Sequence, residues 1–293
     1  MHWEFPFMGE TLVLDDKVRA TVSGDFIKLP DGYTHYEMAG PPDGQTVVLV
    51  HGFSVPYFLW DPTFKALSEA GFCVLRYDLF GRGYSDRPFS VYHIDLFERQ
   101  LLELSSALKL AQPFDLVGLS MGGPIVTVFT ERHPELIRRL CLISPAGFNV
   151  SLPAASRLLH IPGLGEILFS LFAEQVVIAS QPKDFQHPER FPDYADRVRP
   201  QMKYKGYRRA LLSTLRHGPL EGLSASYQAV GQQERPILLL WGRDDQTVPF
   251  SSSENVRSAL QQAEFHVVEE ARHVSHYERP EIVNPLLIDF LKK

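Results

Sequence analysis

Apolar residues along the chain follow two rhythms. Largely apolar runs of strand length occupy 46–50, 72–77, 114–117, 140–145, 236–241 and 264–268. The β-branched run 46–50 and the run 140–145 lack polar alternation, the pattern of strands buried on both faces. Between the runs, apolar residues recur at helical spacing. Ile94, Phe97, Leu101, Leu104 and Leu108 mark a helix within 92–110. Residues 60–70 suit a helix with Asp61 as cap and Pro62 at its first position, and a final helix is expected over 280–291. Upstream, 25–29 and 33–38 flank a Pro30-Asp31-Gly32 turn and read as a hairpin, and a short helix is expected near 12–17.

Strand and helix alternate from 46 to 145, which predicts a mostly parallel central sheet flanked by helices, an α/β fold. The alternation then stops. Residues 147–216 hold helix-like runs punctuated by Pro or Gly at 153, 162, 163, 165, 182, 188, 192, 200 and 206. It resumes at 236. The expected organisation is one core, 1–146 with 217–293, interrupted by a helical cap over 147–216.

In an open parallel sheet, function gathers at the carboxyl ends of the strands. One strand runs into Gly118-Leu119-Ser120-Met121-Gly122, a G-x-S-x-G run that fits a serine on a sharp strand-to-helix turn. The glycines suit a strained serine and a close strand–helix approach, and the helix N-terminus favours developing negative charge. Gly242-Arg243-Asp244-Asp245 follows another strand, and Ala271-Arg272-His273 lies beyond the last. A serine needs a base to become a nucleophile, and the base needs a carboxylate to orient it. All of these residue types stand at strand ends, in the order Ser, Asp, His.

Composition narrows the field. Of 293 residues 44% are hydrophobic, enough for a sizeable core, and the net charge of −6 with no long basic cluster argues against nucleic acid. Cys73 and Cys141 lie in apolar runs and are expected as buried thiols. The first residues, Glu4 among them, show no basic stretch followed by an apolar one, so no secretory signal is expected. No uncharged apolar run reaches 18 residues, so no transmembrane helix is expected, and the expected location is cytoplasmic. No His, Cys or Asp spacing suggests a metal, and no cofactor is expected.

These stretches together resemble the α/β-hydrolase superfamily, its capped serine esterases and C–C hydrolases. The resemblance rests on His51-Gly52-Phe53, on 78–86, on 118–123, on Trp241-Gly242-Arg243-Asp244-Asp245 and on 273–280. It implies Ser120 as nucleophile, Asp245 rather than Asp244 as acid, and His273 rather than His276 as base. It also implies an oxyanion hole from the backbone N–H groups of Phe53 and Met121, supported by His51. Relatives usually carry glycine where this chain has Arg272, which puts the geometry of that loop in question.

A serine nucleophile implies acyl transfer to water, and the expected substrate is a small apolar carboxylic ester. The alternative is hydrolysis of a C–C bond in a vinylogous diketone. Against it, those relatives carry Asn and Trp where this chain has Leu119 and Val274. A further alternative is a ligand receptor on the same fold. The apolar stretch 161–172 suits a substrate slot or access lid, a cap helix packed on the core, or, less well because it is short and has no basic face, shallow docking on lipid.

Overall fold

Strand β3 (Thr46–Val50) is buried at every residue, and its alternate side chains enter opposite layers. Val48 and Val50 join Ile125, Val126 and Phe129 on one side of the sheet, while Val47 and Leu49 join Phe64, Leu67 and Phe290 on the other. This is why an unbroken apolar run was required there. The computed structural model describes residues 5–148 and 154–293; Glu4, Asn149 and Pro153 lie outside the described residues.

The eight strands are β1 (Asp25–Leu29), β2 (Gly32–Ala39), β3, β4 (Cys73–Tyr77), β5 (Phe114–Leu119), β6 (Ile137–Ile143), β7 (Ile237–Gly242) and β8 (Glu264–Val268). They lie in the order β1-β2-β4-β3-β5-β6-β7-β8. The β1–β2 hairpin joins β4 antiparallel, and all other neighbours are parallel. Val50 pairs with Gly118, Leu119 with Ile143, Ile143 with Leu240 and Gly242 with Val268. That register brings the carboxyl ends of β3, β5, β6, β7 and β8 to a common edge of the sheet.

The helices cover both faces. Ile94–Ala107, Gly122–Arg132 and Ser224–Gly231 lie on one, Asp61–Glu69 and Pro280–Lys292 on the other. Asp61 is the first helical residue rather than the cap, a position that Trp60 takes. The Asp61 carboxylate is occupied instead by Arg76 and Arg197. A four-residue helix, Asp16–Arg19, stands near the expected position, capped by the Asp15 side chain. Both cysteines are buried and free.

Strand β5 and the helix Gly122–Arg132 approach so closely that side chains are excluded between them. A Cβ on Gly118 would come within 2.6 Å of the Gly122 carbonyl oxygen and Val126 Cγ2, and one on Gly122 would strike the Val50 carbonyl. Neither carbonyl can yield without breaking the sheet or the helix. Gly122→Ala is therefore expected to cost about 1–3 kcal/mol of stability, measured as a shift in the denaturant midpoint.

Between β6 and β7 the described residues form only helices and turns. The longest helix, Leu164–Ser180, buries Phe169, Ala173 and Val177 while Leu164, Ile167, Leu171, Phe172 and Val176 stay exposed. Its acidic residues are neutralised from outside, Glu166 by Arg216 and Glu174 by Arg199 and Arg208. With the following turn it spans 21 residues, Leu164–Asp184, long and apolar enough to cross a membrane by length and composition. Glu166 and Glu174 interrupt the apolar sequence, so no uncharged run of 18 residues marks it.

Candidate active site

Ser120 sits between β5 and the next helix with φ +54, a left-handed conformation that a residue with a Cβ adopts at a cost of about 1–3 kcal/mol. Three backbone bonds enforce it. The Ser120 N–H donates to Ile143 O (3.0 Å), and Ser120 O accepts from Gly123 and Ala146 (2.9 and 3.0 Å). Strand, helix and the loop after β6 thus hold the turn from three sides. The side chain is left on the wall of a cavity of about 150 Å³. Among the described residues Gly52, Phe53, Ser54, Val55, Leu59 and Leu119 line it from the core.

His273 and Asp184 face the same cavity, with Thr247 beside them. His273 Nδ1 lies 2.9 Å from Asp245 Oδ2, and the other Asp245 oxygen accepts from the N–H groups of Thr247 (2.9 Å) and Val248 (3.0 Å). A buried carboxylate with its acceptors so filled is fixed in orientation. It accepts a hydrogen bond from Nδ1–H and leaves Nε2 as the free nitrogen. Burial disfavours the charged imidazole, yet the charge and hydrogen bond of Asp245, with the charge of Asp184, outweigh it and raise the His273 pKa to about 8.

The other histidines are set differently. His51 Nε2 accepts from the Leu79 N–H (2.9 Å), so Nδ1 carries the proton and donates to Gly52 O (2.9 Å). Burial lowers its pKa to about 4, and it stays neutral. It braces the 52–53 turn as expected. His276 Nε2 lies 3.1 Å from Leu59 O, its ring is packed 4.4 Å from Trp60, and burial lowers its pKa to about 3. Asp244 is exposed, whereas Asp245 is buried. Arg272 has no positive φ; the left-handed residue of that loop is Glu270, φ +52. No glycine is needed at 272.

The 52–53 turn passes directly over the serine: a Cβ on Gly52 would lie 3.2 Å from Ser120 Cβ. Among the described residues neither the Phe53 nor the Met121 backbone N–H is taken by another hydrogen bond. The Phe53 carbonyl is held by Arg82 Nε (2.8 Å), a fully buried guanidinium that also donates to Phe80 O and Thr214 Oγ1. Burial, with no carboxylate partner among the described residues, lowers the Arg82 pKa to about 10, still high enough to keep its charge. Arg82 stands in the 78–86 motif, but its role is not legible there, because Phe53 and Thr214 lie 29 and 132 residues away.

None of residues 161–172 lines this cavity. The insertion contributes Ser180 and Asp184 instead, so the apolar stretch is a packed helix with an exposed side and not a slot beside Ser120. Among the described residues no group of three metal-ligating side chains occurs.

A family model for the α/β-hydrolase fold matches residues 45–280. The chain belongs to that family. This α/β-hydrolase is 25% identical over 271 residues to monoacylglycerol lipase ABHD6 of Homo sapiens, covering 87% of this chain and 78% of that one. It is 26% identical over 280 residues to 2-hydroxy-6-oxo-6-phenylhexa-2,4-dienoate hydrolase of Comamonas testosteroni, covering 90% and 93%. Its fold matches that of the enol-lactonase from Burkholderia xenovorans LB400 with a TM-score of 0.79 at 23% identity, over 92% of this chain and all of that one. Membership of the family makes the protein a hydrolase, and relatives of this kind act on different bonds.

Proposed function

We propose that this hydrolase cleaves small carboxylic esters with apolar acyl groups through an acyl-enzyme. Ser120 Oγ attacks the ester carbonyl carbon as His273 Nε2 takes its proton. The N–H groups of Phe53 and Met121 receive the oxyanion, where fixed donors act most strongly. Collapse of the tetrahedral intermediate expels the alcohol, which regains the proton from His273. Water, activated by His273, then attacks the acyl-enzyme and frees Ser120. Asp245 holds the imidazole in the required tautomer throughout.

The observation that carries this reading is one cavity with Ser120 on one wall and the Asp245-held His273 on another. The lining favours neutral substrates. A dienoate brings a carboxylate, and among the described lining residues there is no lysine or arginine to meet it. The volume of about 150 Å³ suits a short acyl group; pockets for larger ligands run from about 300 Å³ upward. We assign 147–216 as a cap over the site, supported by Ser180 and Asp184 at its wall. Location in the cytoplasm and a monoacyl substrate type belong to the same proposal.

Hydrolysis of p-nitrophenyl esters of increasing chain length tests it. Turnover is expected to be fastest with short acyl groups, while a 2-hydroxy-6-oxo-dienoate is left uncleaved. Cleavage of the dienoate with inert esters would replace this reading with the C–C one.

The pH profile is fixed by the same geometry. His273 must be neutral to accept the serine proton, and its pKa is about 8. The free enzyme's kcat/KM is therefore expected to fall about tenfold per unit as pH drops below 8. His51 and His276, with pKa values of about 4 and 3, stay neutral over that range and cannot cause the limb. A profile flat between pH 6 and 9 would remove His273 from the role.

A further inference from the structure

Asp184 is a carboxyl group that the reaction above does not use, placed where the reaction takes place. It ends the turn Gln181–Asp184 that follows the long helix of the insertion. Two contacts tie it to the core. Its backbone carbonyl accepts from the Val274 N–H (3.3 Å), next to His273, and Oδ1 accepts from Thr247 Oγ1 (2.6 Å). Thr247 is the residue whose N–H also serves Asp245. The insertion is thus latched onto both loops that carry the histidine and its carboxylate.

The latch leaves half of the carboxyl unspent. Among the described residues no donor meets Asp184 Oδ2, and no lysine or arginine pairs with the group. The residue is half-buried and lines the cavity beside His273. Burial raises its pKa above the ordinary carboxylate value; the Asp245 charge adds to this, and the His273 charge and the Thr247 bond oppose it. Oδ2 is therefore an acceptor left without a protein donor at the cavity wall. A ligand hydroxyl can fill it, since a carboxyl bonds a hydroxyl whether ionised or protonated.

Its place decides which part of a substrate it meets. His273 hands its proton to the departing alcohol, so the alcohol lies beside His273. Asp184 adjoins His273 through Val274 and lies on the insertion side. The acyl group has the apolar lining of Phe53, Val55, Leu59 and Leu119.

Resting on the ester reading above, we propose that Asp184 is a specificity-determining residue that selects esters whose leaving alcohol carries further hydroxyl groups.

The test compares glyceryl butanoate with propyl butanoate, which share a carbon skeleton and differ by hydroxyls alone. Wild type is expected to favour the glyceryl ester in kcat/KM by about tenfold, the range of a hydrogen bond to an ionisable group. Because the Asp184 charge also helps hold up the His273 pKa, the esters are compared as a ratio at pH 9, where His273 is largely neutral; there Asp184→Ala brings the glyceryl-to-propyl ratio of kcat/KM down to about one, through KM for the glyceryl ester. Asp184→Asn keeps the volume and the acceptor for Thr247, so it guards against a folding defect, and it lowers the preference in the same sense.

An unchanged preference in both variants, or an equal loss on both esters, overturns the assignment while the ester reading stands. A binding arm covers the case in which neither ester is cleaved. Calorimetry of Ser120→Ala with 1-O-butylglycerol and butyl propyl ether should show the glyceryl ether bound about tenfold tighter, with the difference lost on adding Asp184→Ala. That result would keep the Asp184 site although the ester reading had fallen. Equal binding of the two ethers would overturn it.

Discussion

Ser120→Ala is expected to lower kcat/KM for a butanoyl ester by about 10⁴- to 10⁶-fold, the range seen when a serine nucleophile is deleted from an intact site. The residue is 8% exposed and its backbone bonds run through N–H and C=O, which alanine keeps. The fold should therefore persist, and substrate should still bind. A second substitution separates chemistry from strain. Glycine accepts φ +54 without penalty, so Ser120→Gly should be more stable than Ser120→Ala by about 1 kcal/mol and equally inactive. Thermal melts of the pair measure the strain the turn stores. Melts that coincide would mean the turn is not strained.

Asp245→Asn is expected to cost about 10⁴-fold in kcat, because an amide can offer its N–H to His273 Nδ1 and favour the wrong tautomer. The pH profile supplies the sign. The Asp245 charge and hydrogen bond are the main influences that hold the His273 pKa up against burial. Removing the charge lets burial win, so the acidic limb should move from about pH 8 to lower pH as the maximal rate falls. The stability consequence follows from the same shift. A histidine whose folded pKa is raised from 6.5 to about 8 stabilises the fold fully below pH 6.5, and this contribution is lost as pH rises through 8. In Asp245→Asn that loss between pH 6.5 and 8 should shrink. Loss of activity with an unmoved limb would separate Asp245 from the charge on His273.

What the chain discloses by itself depends on the reach of each interaction. The buried strands were readable because β3, β5 and β7 are covered on both faces and can hold little but apolar residues. The start of β6 does not show in the apolar pattern. Its first turns carry Arg138 and Arg139, and Arg138 is accommodated by Asp115 on the neighbouring strand, a pairing no local pattern reveals. The insertion gave its helical character but not its orientation, since 164–180 is apolar almost all round and only packing distinguishes Phe169 from Phe172. Of the residues expected at the site, Phe53, Ser120 and His273 line one cavity and Asp245 bonds His273, because each follows a strand end, and strand ends are legible. Arg82 and Asp184 were silent for the opposite reason. Thr247 is 63 residues from Asp184, and Thr214 is 132 from Arg82. Local sequence carries no trace of such contacts.

The claim that Ser120 carries the acyl group is tested most directly by trapping it. Wild-type enzyme mixed with p-nitrophenyl butanoate, quenched in acid within the first turnover and digested, should yield one modified peptide. That peptide should contain Ser120 and be heavier by one butanoyl group, and it should be absent from Ser120→Ala. Turnover of the ester with no acylated peptide, or with the acyl group on another residue, would contradict the account.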